Sequence, residues 1–275
     1  MPTTVMSILP LHGATVLQDG DYCVMDNLDQ PYAPSIEGQT AGFPLKLSLT
    51  AMLIVQEGKV QIRAGFRDCE MTGGSCVMMM PGTIIEHVAM DLGTKAMAIY
   101  FPPTVTLSQQ VAQYQLIPQH LDMIVGAYRL LRQAVADSAL ADGKQAVTAQ
   151  CVSLMTAILE HGATRRDTTK RSRGEEIVSS FLQCVADNYR EHRDLGFYAA
   201  QLGLTLKYMS HVIYGQTGRH PSKWIKDYVI LEAKSMLRSG RYSIQQIADE
   251  LHFPNQSFFG KYFKEAVGVS PKKWK

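Results

Sequence analysis

Two sets of polar side chains recur about 50 residues apart near the end of the chain, and their types suit donation to anionic oxygens and to heterocycle edges. Lys207, Tyr208, Ser210, His211 and Tyr214 follow the turn Gly203-Leu204-Thr205, and Thr205 joins the set. Asn255, Gln256, Ser257, Lys261 and Lys264 follow the turn His252-Phe253-Pro254. Lysine donates to phosphates or to a guanine edge, and glutamine pairs with an adenine edge, so double-stranded DNA is the partner these residues fit. The other reactive residues offer less. Cys23, Cys69, Cys76, Cys151 and Cys184 contain no C-x-x-C and read as reduced, buried thiols, with Cys69 and Cys76 able to meet across a hairpin as a redox pair. His87 stands without the H-x-H pair and further His that an open metal site of the cupin kind needs, so no metal, cofactor or catalytic residue is expected. Methionines cluster in the same region, and Met78, Met80 and Met97 with His87 are the candidate lining of a soft pocket for an apolar effector. Ordinary core filling is the competing role, because alternation lets only part of the run Met78 to Met80 face inward.

The outward residues need helices beneath them. Asp194 is placed to cap a helix with Leu195, Tyr198, Ala199 and Leu202 on one stripe, and Ser243 starts the same pattern 49 residues later with Ile244, Ile247, Ala248 and Leu251. Gln246 stands where a capping box places Glu or Gln. After each turn a second helix follows, with Met209, Val212 and Ile213 inward in one copy and Phe258, Phe259, Tyr262 and Phe263 in the other. From there the offset is 50: Gly218, Pro221, Lys223 and Trp224 recur as Gly268, Pro271, Lys273 and Trp274. A buttressing helix, a tight turn and a helix whose outward face meets base edges make a helix-turn-helix motif. Between the copies a helix starts at Pro221 and stops at Gly240, a stiff spacer somewhat short of the ~34 Å of one DNA turn. Such a length favours bent DNA.

The charge distribution agrees with a polyanion partner for this end. Residues 171–275 hold 16 Lys and Arg against 10 Asp and Glu, whereas the whole chain of 275 residues has a formal charge of only +2. Hydrophobic residues at 46% and charged residues at 19% describe a chain able to build real cores. The absence of a long apolar run or a basic leader followed by a cleavage site predicts a cytoplasmic protein with no membrane partner.

Ahead of the repeat, residues 14 to 101 read as short strands and turns, suggesting a small barrel or sandwich. Residues 119 to 162 read as an antiparallel helix pair split at Asp142-Gly143, with stripes Ile124, Tyr128, Leu131, Val135 and Val147, Cys151, Leu154, Ile158. The polar segment ATRRDTTKRSRGEE reads as a linker, so the predicted organisation is 1–162, linker 163–176, and 177–275.

The stretch SIQQIADELHFPNQSFFGKYFKEAVGVSPKKWK resembles the signature of the AraC/XylS transcription regulators nearly end to end. YAAQLGLTLKYMSHVIYGQTGRHPSKWI is similar but looser. More weakly, LIVQEGKVQIRAGFRDCEMTGGSCVMMMPGTIIEHV resembles the cupin-like effector domains that precede this unit in many members. The resemblance implies an α+β two-domain chain, with a cupin-like β-barrel and helical hairpin followed by an all-α tandem helix-turn-helix domain. It further implies a DNA-binding regulator, usually an activator, that answers to a small-molecule effector, contacts RNA polymerase and works as a homodimer through the helix pair. A cupin-type enzyme with an appended DNA-binding domain is the alternative. Two residues depart from the family pattern: Gly260 lies inside the second recognition helix, and Val229 stands where many relatives carry Arg.

Overall fold

The structure is a computed structural model and describes residues 15–28, 45–103, 110–140, 143–166 and 172–274, the side chain of His87 apart. The chain divides into two compact units, 1–169 and 170–275.

The first unit is a sandwich of two sheets. Its strands are β1 (Thr15–Asp19), β2 (Tyr22–Asp26), β3 (Leu45–Lys46), β4 (Thr50–Glu57), β5 (Lys59–Ala64), β6 (Arg67–Thr72), β7 (Ser75–Met79), β8 (Ile84–Met90), β9 (Lys95–Phe101), β10 (Val111–Leu116) and β11 (Ala163–Arg165). They pair in the orders β1-β2-β9-β4-β7-β10-β11 and β3-β8-β5-β6. Among the described residues no ladder joins the two sheets, so the expected barrel is corrected to an open sandwich with edges at β1 and β11. Gly58 makes the β4–β5 turn possible. Its φ is +86°, and a Cβ there would lie 2.5 Å from Thr94 Oγ1, the hydroxyl that donates to Lys59 O at 3.1 Å.

The inner strands of the larger sheet are buried on both faces, and strand alternation sorts their side chains between two cores. Ala51, Leu53, Val55, Val77 and Met79 meet Val60, Ile62, Cys69 and Met71 of the smaller sheet. Met52, Ile54, Cys76, Met78, Met97 and Ile99 meet the helices α1 (Pro118–Ala136) and α2 (Lys144–Gly162). Cys69 and Cys76 therefore belong to different cores, and the suggested redox pair is not assembled. Burial raises the Cys76 thiol pKa, which keeps it protonated and unreactive.

Helix α1 buries Ile124, Tyr128, Leu131 and Val135. Tyr128 Oη donates to the buried Asp26 Oδ2 at 2.7 Å, joining α1 to β2, and Arg132 Nη1 lies 3.5 Å from Asp26 Oδ1. The expected stripe on α2 holds for Ile158 and for Cys151, which packs against the core, but not for its other two members. Val147 and Leu154 are 40% and 50% exposed, while Thr148, Val152, Met155, Thr156, Ile158 and Leu159 are buried. The two threonines are tolerated there because their hydroxyls donate back to Gln145 O and Ser153 O, each at 2.9 Å. The start of the segment expected to be linker belongs to the first unit's sheet: Ala163–Arg165 forms β11 on the edge of β10.

The second unit is all helical, with α3 (Arg173–Asn188), α4 (Leu195–Gln201), α5 (Leu206–Thr217), α6 (Pro221–Ser239), α7 (Ile244–Glu250), α8 (Gln256–Val267) and α9 (Pro271–Trp274). A capping box, Ser172 with Glu175, opens α3 inside the segment read as linker. Aromatic rings organise the core around α3 and α6: Phe181 meets Tyr198 edge-on at 5.8 Å and Tyr189 meets Tyr228 at 5.6 Å. No helix among the described residues is long and apolar enough to cross a membrane.

Candidate nucleic-acid interface

Both helix pairs are built by the same local devices. Asp194 accepts from Phe197 N to cap α4, and the Ser243–Gln246 capping box starts α7. Each turn closes with paired hydrogen bonds, Gly203 N to Ala200 O (3.0 Å) and Leu204 N to Ala199 O (2.9 Å), matched by His252 N to Asp249 O (2.9 Å) and Phe253 N to Ala248 O (2.8 Å). The next residue then differs. The first chain segment enters its cap directly at Thr205, whereas the second inserts Pro254 before Asn255, which is where the offset changes from 49 to 50.

The contact residues expected from the sequence include the caps themselves. Thr205 Oγ1 accepts from Tyr208 N at 3.3 Å, and Asn255 Oδ1 accepts from Ser257 N at 3.0 Å and Phe258 N at 3.1 Å. Their side-chain oxygens hold the helix starts. Beyond the caps, burial in 205–218 and 255–268 follows one profile, position for position. Met209 and Ile213, like Phe259 and Phe263, are buried. Lys207, Tyr208, His211 and Tyr214 are exposed with Ser210 half-buried, and Gln256, Ser257, Lys261 and Lys264 are exposed. The structure thus gathers the sequence-derived set onto two equivalent outward faces.

One residue changes sides. Phe258, expected inward, is 60% exposed, and its counterpart Tyr208 is 47% exposed. An aromatic therefore stands outward in the first turn of each helix, visible in the sequence only once the repeat is aligned at an offset of 50. A Cβ added at Gly260 would meet no atom within 4 Å, so open space surrounds this residue. Val229 is fully buried in α6, which leaves it no route to DNA.

The spacer α6 runs 19 residues, about 28 Å at 1.5 Å per residue. Side chains tie it on both sides. Arg190 Nη2 donates to Glu232 Oε1 at 2.6 Å. Lys226 Nζ donates to Glu265 Oε1 of α8 at 2.8 Å and holds that carboxyl below its usual pKa. Arg219 pairs with Asp227 and lies 4.2 Å over the Trp224 ring, while Arg238 lies 5.2 Å over Trp274.

The candidate effector residues are not brought together. Met78 and Met97 face the helix layer, Met80 is half-buried past the end of β7, and β8, which carries His87, lies in the other sheet. The His87 side chain itself is outside the described set. No group of three or more His, Cys, Asp or Glu among the described residues could hold a metal ion.

Two helix-turn-helix motifs joined by one continuous helix define a DNA-binding protein. Residues 198–275 match the family model described as "Helix-turn-helix domain", in keeping with the resemblance of this end of the chain to the AraC/XylS transcription regulators. Over 262 residues the chain is 24% identical to the thermoregulatory protein LcrF of Yersinia pestis, covering 92% of this chain and 88% of that one. It is 27% identical over 140 residues to the HTH-type transcriptional activator RhaS of Pectobacterium carotovorum, covering 50% of each. Among solved structures, the unsaturated fatty acid bound ToxT of Vibrio cholerae is similar at a TM-score of 0.45 and 11% identity, covering 84% of this chain and 88% of that one.

Proposed function

We propose that the chain is a transcription activator that reads two successive major grooves of one duplex with α5 and α8. The observation that carries this reading is the matched exposure of 205–218 and 255–268 at the two ends of α6. Lys207, Tyr208, Ser210, His211 and Tyr214 serve one groove, and Gln256, Ser257, Lys261 and Lys264 the other. Thr205 and Asn255 orient the helices and present their backbones to phosphates. The relatedness to RhaS, named an activator, supports the direction of control, with RNA polymerase as the protein partner.

In this reading the chain works as a homodimer through the outward face of α1 and α2, where Met123, Leu130, Val147 and Leu154 are exposed. The regulating signal is a small apolar molecule admitted to the layer between the larger sheet and the helices. Met52, Met78, Met97 and Met155 share that layer, and methionine repacks readily around a guest. Such a molecule shifts transcription only by favouring one state of the protein over another.

Selection of bound duplexes from a random pool tests the DNA reading. Two sequence elements about one helical turn apart are expected, with affinity falling steeply as salt rises, about −0.9 in log–log slope per neutralised phosphate. A single element, or an affinity indifferent to salt, would overturn it.

A further inference from the structure

We propose that Arg193 is a positioning residue that locks the two recognition helices to one groove-to-groove spacing; the proposal rests on the two-groove reading above. Arg193 immediately precedes the cap of α4 and so belongs to the first motif. Its guanidinium reaches the second. Nη2 donates to Leu251 O, 58 residues away, and Nη1 donates to His252 O at 3.3 Å. The same group lies 3.9 Å over the Phe253 ring, and Nη2 reaches back to Arg190 O at 3.4 Å.

The chemistry of this contact suits its place. Leu251 and His252 form the C-terminal end of α7 and its turn, where carbonyls lack partners within the helix and the backbone dipoles present negative charge. A guanidinium satisfies both with one planar fork, and its flat face covers an aromatic ring at the same time. Phe253 in turn meets Phe259 at 5.4 Å and Tyr262 at 5.2 Å, both on α8. Arg193 therefore rests on the ring that seats the second recognition helix.

The consequence is mechanical. With only α6 and its Lys226–Glu265 tie to α8, each motif keeps some freedom to rotate about the end of that helix. A further attachment, made on the turn between α7 and α8, removes that freedom. The angle between α5 and α8 then becomes a fixed property of the free protein, and a duplex whose two elements are out of register by one base pair loses one contact set.

The experiment compares the full-length chain with Arg193→Lys, which keeps the charge but cannot form the fork, and with Arg193→Ala. Duplexes carrying the two selected elements are made with the natural spacing and with one base pair inserted. The unaltered chain is expected to lose at least tenfold in affinity on insertion, and both variants less than threefold. An unchanged spacing penalty in Arg193→Lys would overturn the proposal. A DNA-free measurement keeps the two readings apart: spin labels placed at His211 and Lys261 through bio-orthogonal residues report the distance between α5 and α8. A narrow distribution that broadens in Arg193→Lys supports the lock even when selection yields a single element, which would sink only the two-groove reading. An equally narrow distribution in the variant overturns the lock. Circular dichroism melts establish that the compared variants are folded, and Arg193→Lys carries the test where Arg193→Ala is not.

Discussion

Gly203 and His252 occupy the same place in the two turns, and both have left-handed backbones, with φ of +63° and +52°. His252 is the one described non-glycine residue at positive φ. A side chain in this region costs roughly 1–2 kcal/mol, which glycine avoids. His252→Gly is therefore expected to raise the stability of the second unit by about 1 kcal/mol, seen as a higher urea midpoint. A lower midpoint would mean that the imidazole makes a compensating contact.

Phe258 and Tyr208 should read thymine. An exposed aromatic in the first turn of a recognition helix is suited to apolar contact with the C5-methyl group. Replacing thymine by deoxyuracil within the bound site is expected to weaken binding about threefold to tenfold, roughly the worth of one buried methyl. Phe258→Ala should abolish that sensitivity in the element read by α8. A uracil penalty that persists in the variant would count against the contact.

Gly260 gives a prediction of opposite character. Space for a methyl group is open there, and helix-interior Gly costs about 1 kcal/mol relative to Ala. Gly260→Ala should stabilise the domain by about that amount, measured by thermal melting. An accompanying tenfold loss of DNA affinity would reveal that the backbone at this position approaches the duplex closely.

The outward apolar positions of α2 bear on assembly. Leu154→Glu places a charge on the proposed dimer face without touching the core beneath, so sedimentation at micromolar protein should show monomer where the unaltered chain shows dimer. Equal sedimentation of the two would remove this face from the interface.

Alkaline pH should loosen both units. Burial raises the Cys23 pKa from 9.0 to about 11 and that of Tyr262 from 10.0 to about 12. These acids are protonated in the folded chain and release protons earlier when unfolded, so their stabilising effect is complete below pH 9 and fades through 11 to 12. Melting temperature is expected to hold up to about pH 9 and then fall. Constancy to pH 11 would contradict the burial of Cys23.

The repeat is legible because helix-turn-helix geometry demands particular residues: caps at Asp194 and Ser243, small or apolar residues at Ala199 and Ala248, and prolines at Pro221 and Pro271. What escapes is what local pattern does not encode. An apolar residue on a surface meant for DNA looks like core, so Phe258 reads as inward. The buried face of α2 carries threonines that satisfy themselves, so of the visible apolar stripe Ile158 and Cys151 reach the core while Val147 and Leu154 face outward. Strand alternation gives Met78 and Met79 opposite faces, but which face meets helices depends on sheet pairing far along the chain. The short β11 has no apolar signal, since an edge strand needs only backbone hydrogen bonds to β10.

The two outward faces share an exposure profile but not an alphabet. Lys207 is answered by Ser257, His211 by Lys261 and Tyr214 by Lys264. A protomer with unlike readers at its two ends cannot sit equally well in both directions on a duplex. It has a heading, as an arrow does, and turning its site end for end relative to a promoter would present the opposite side of the protein to whatever waits there.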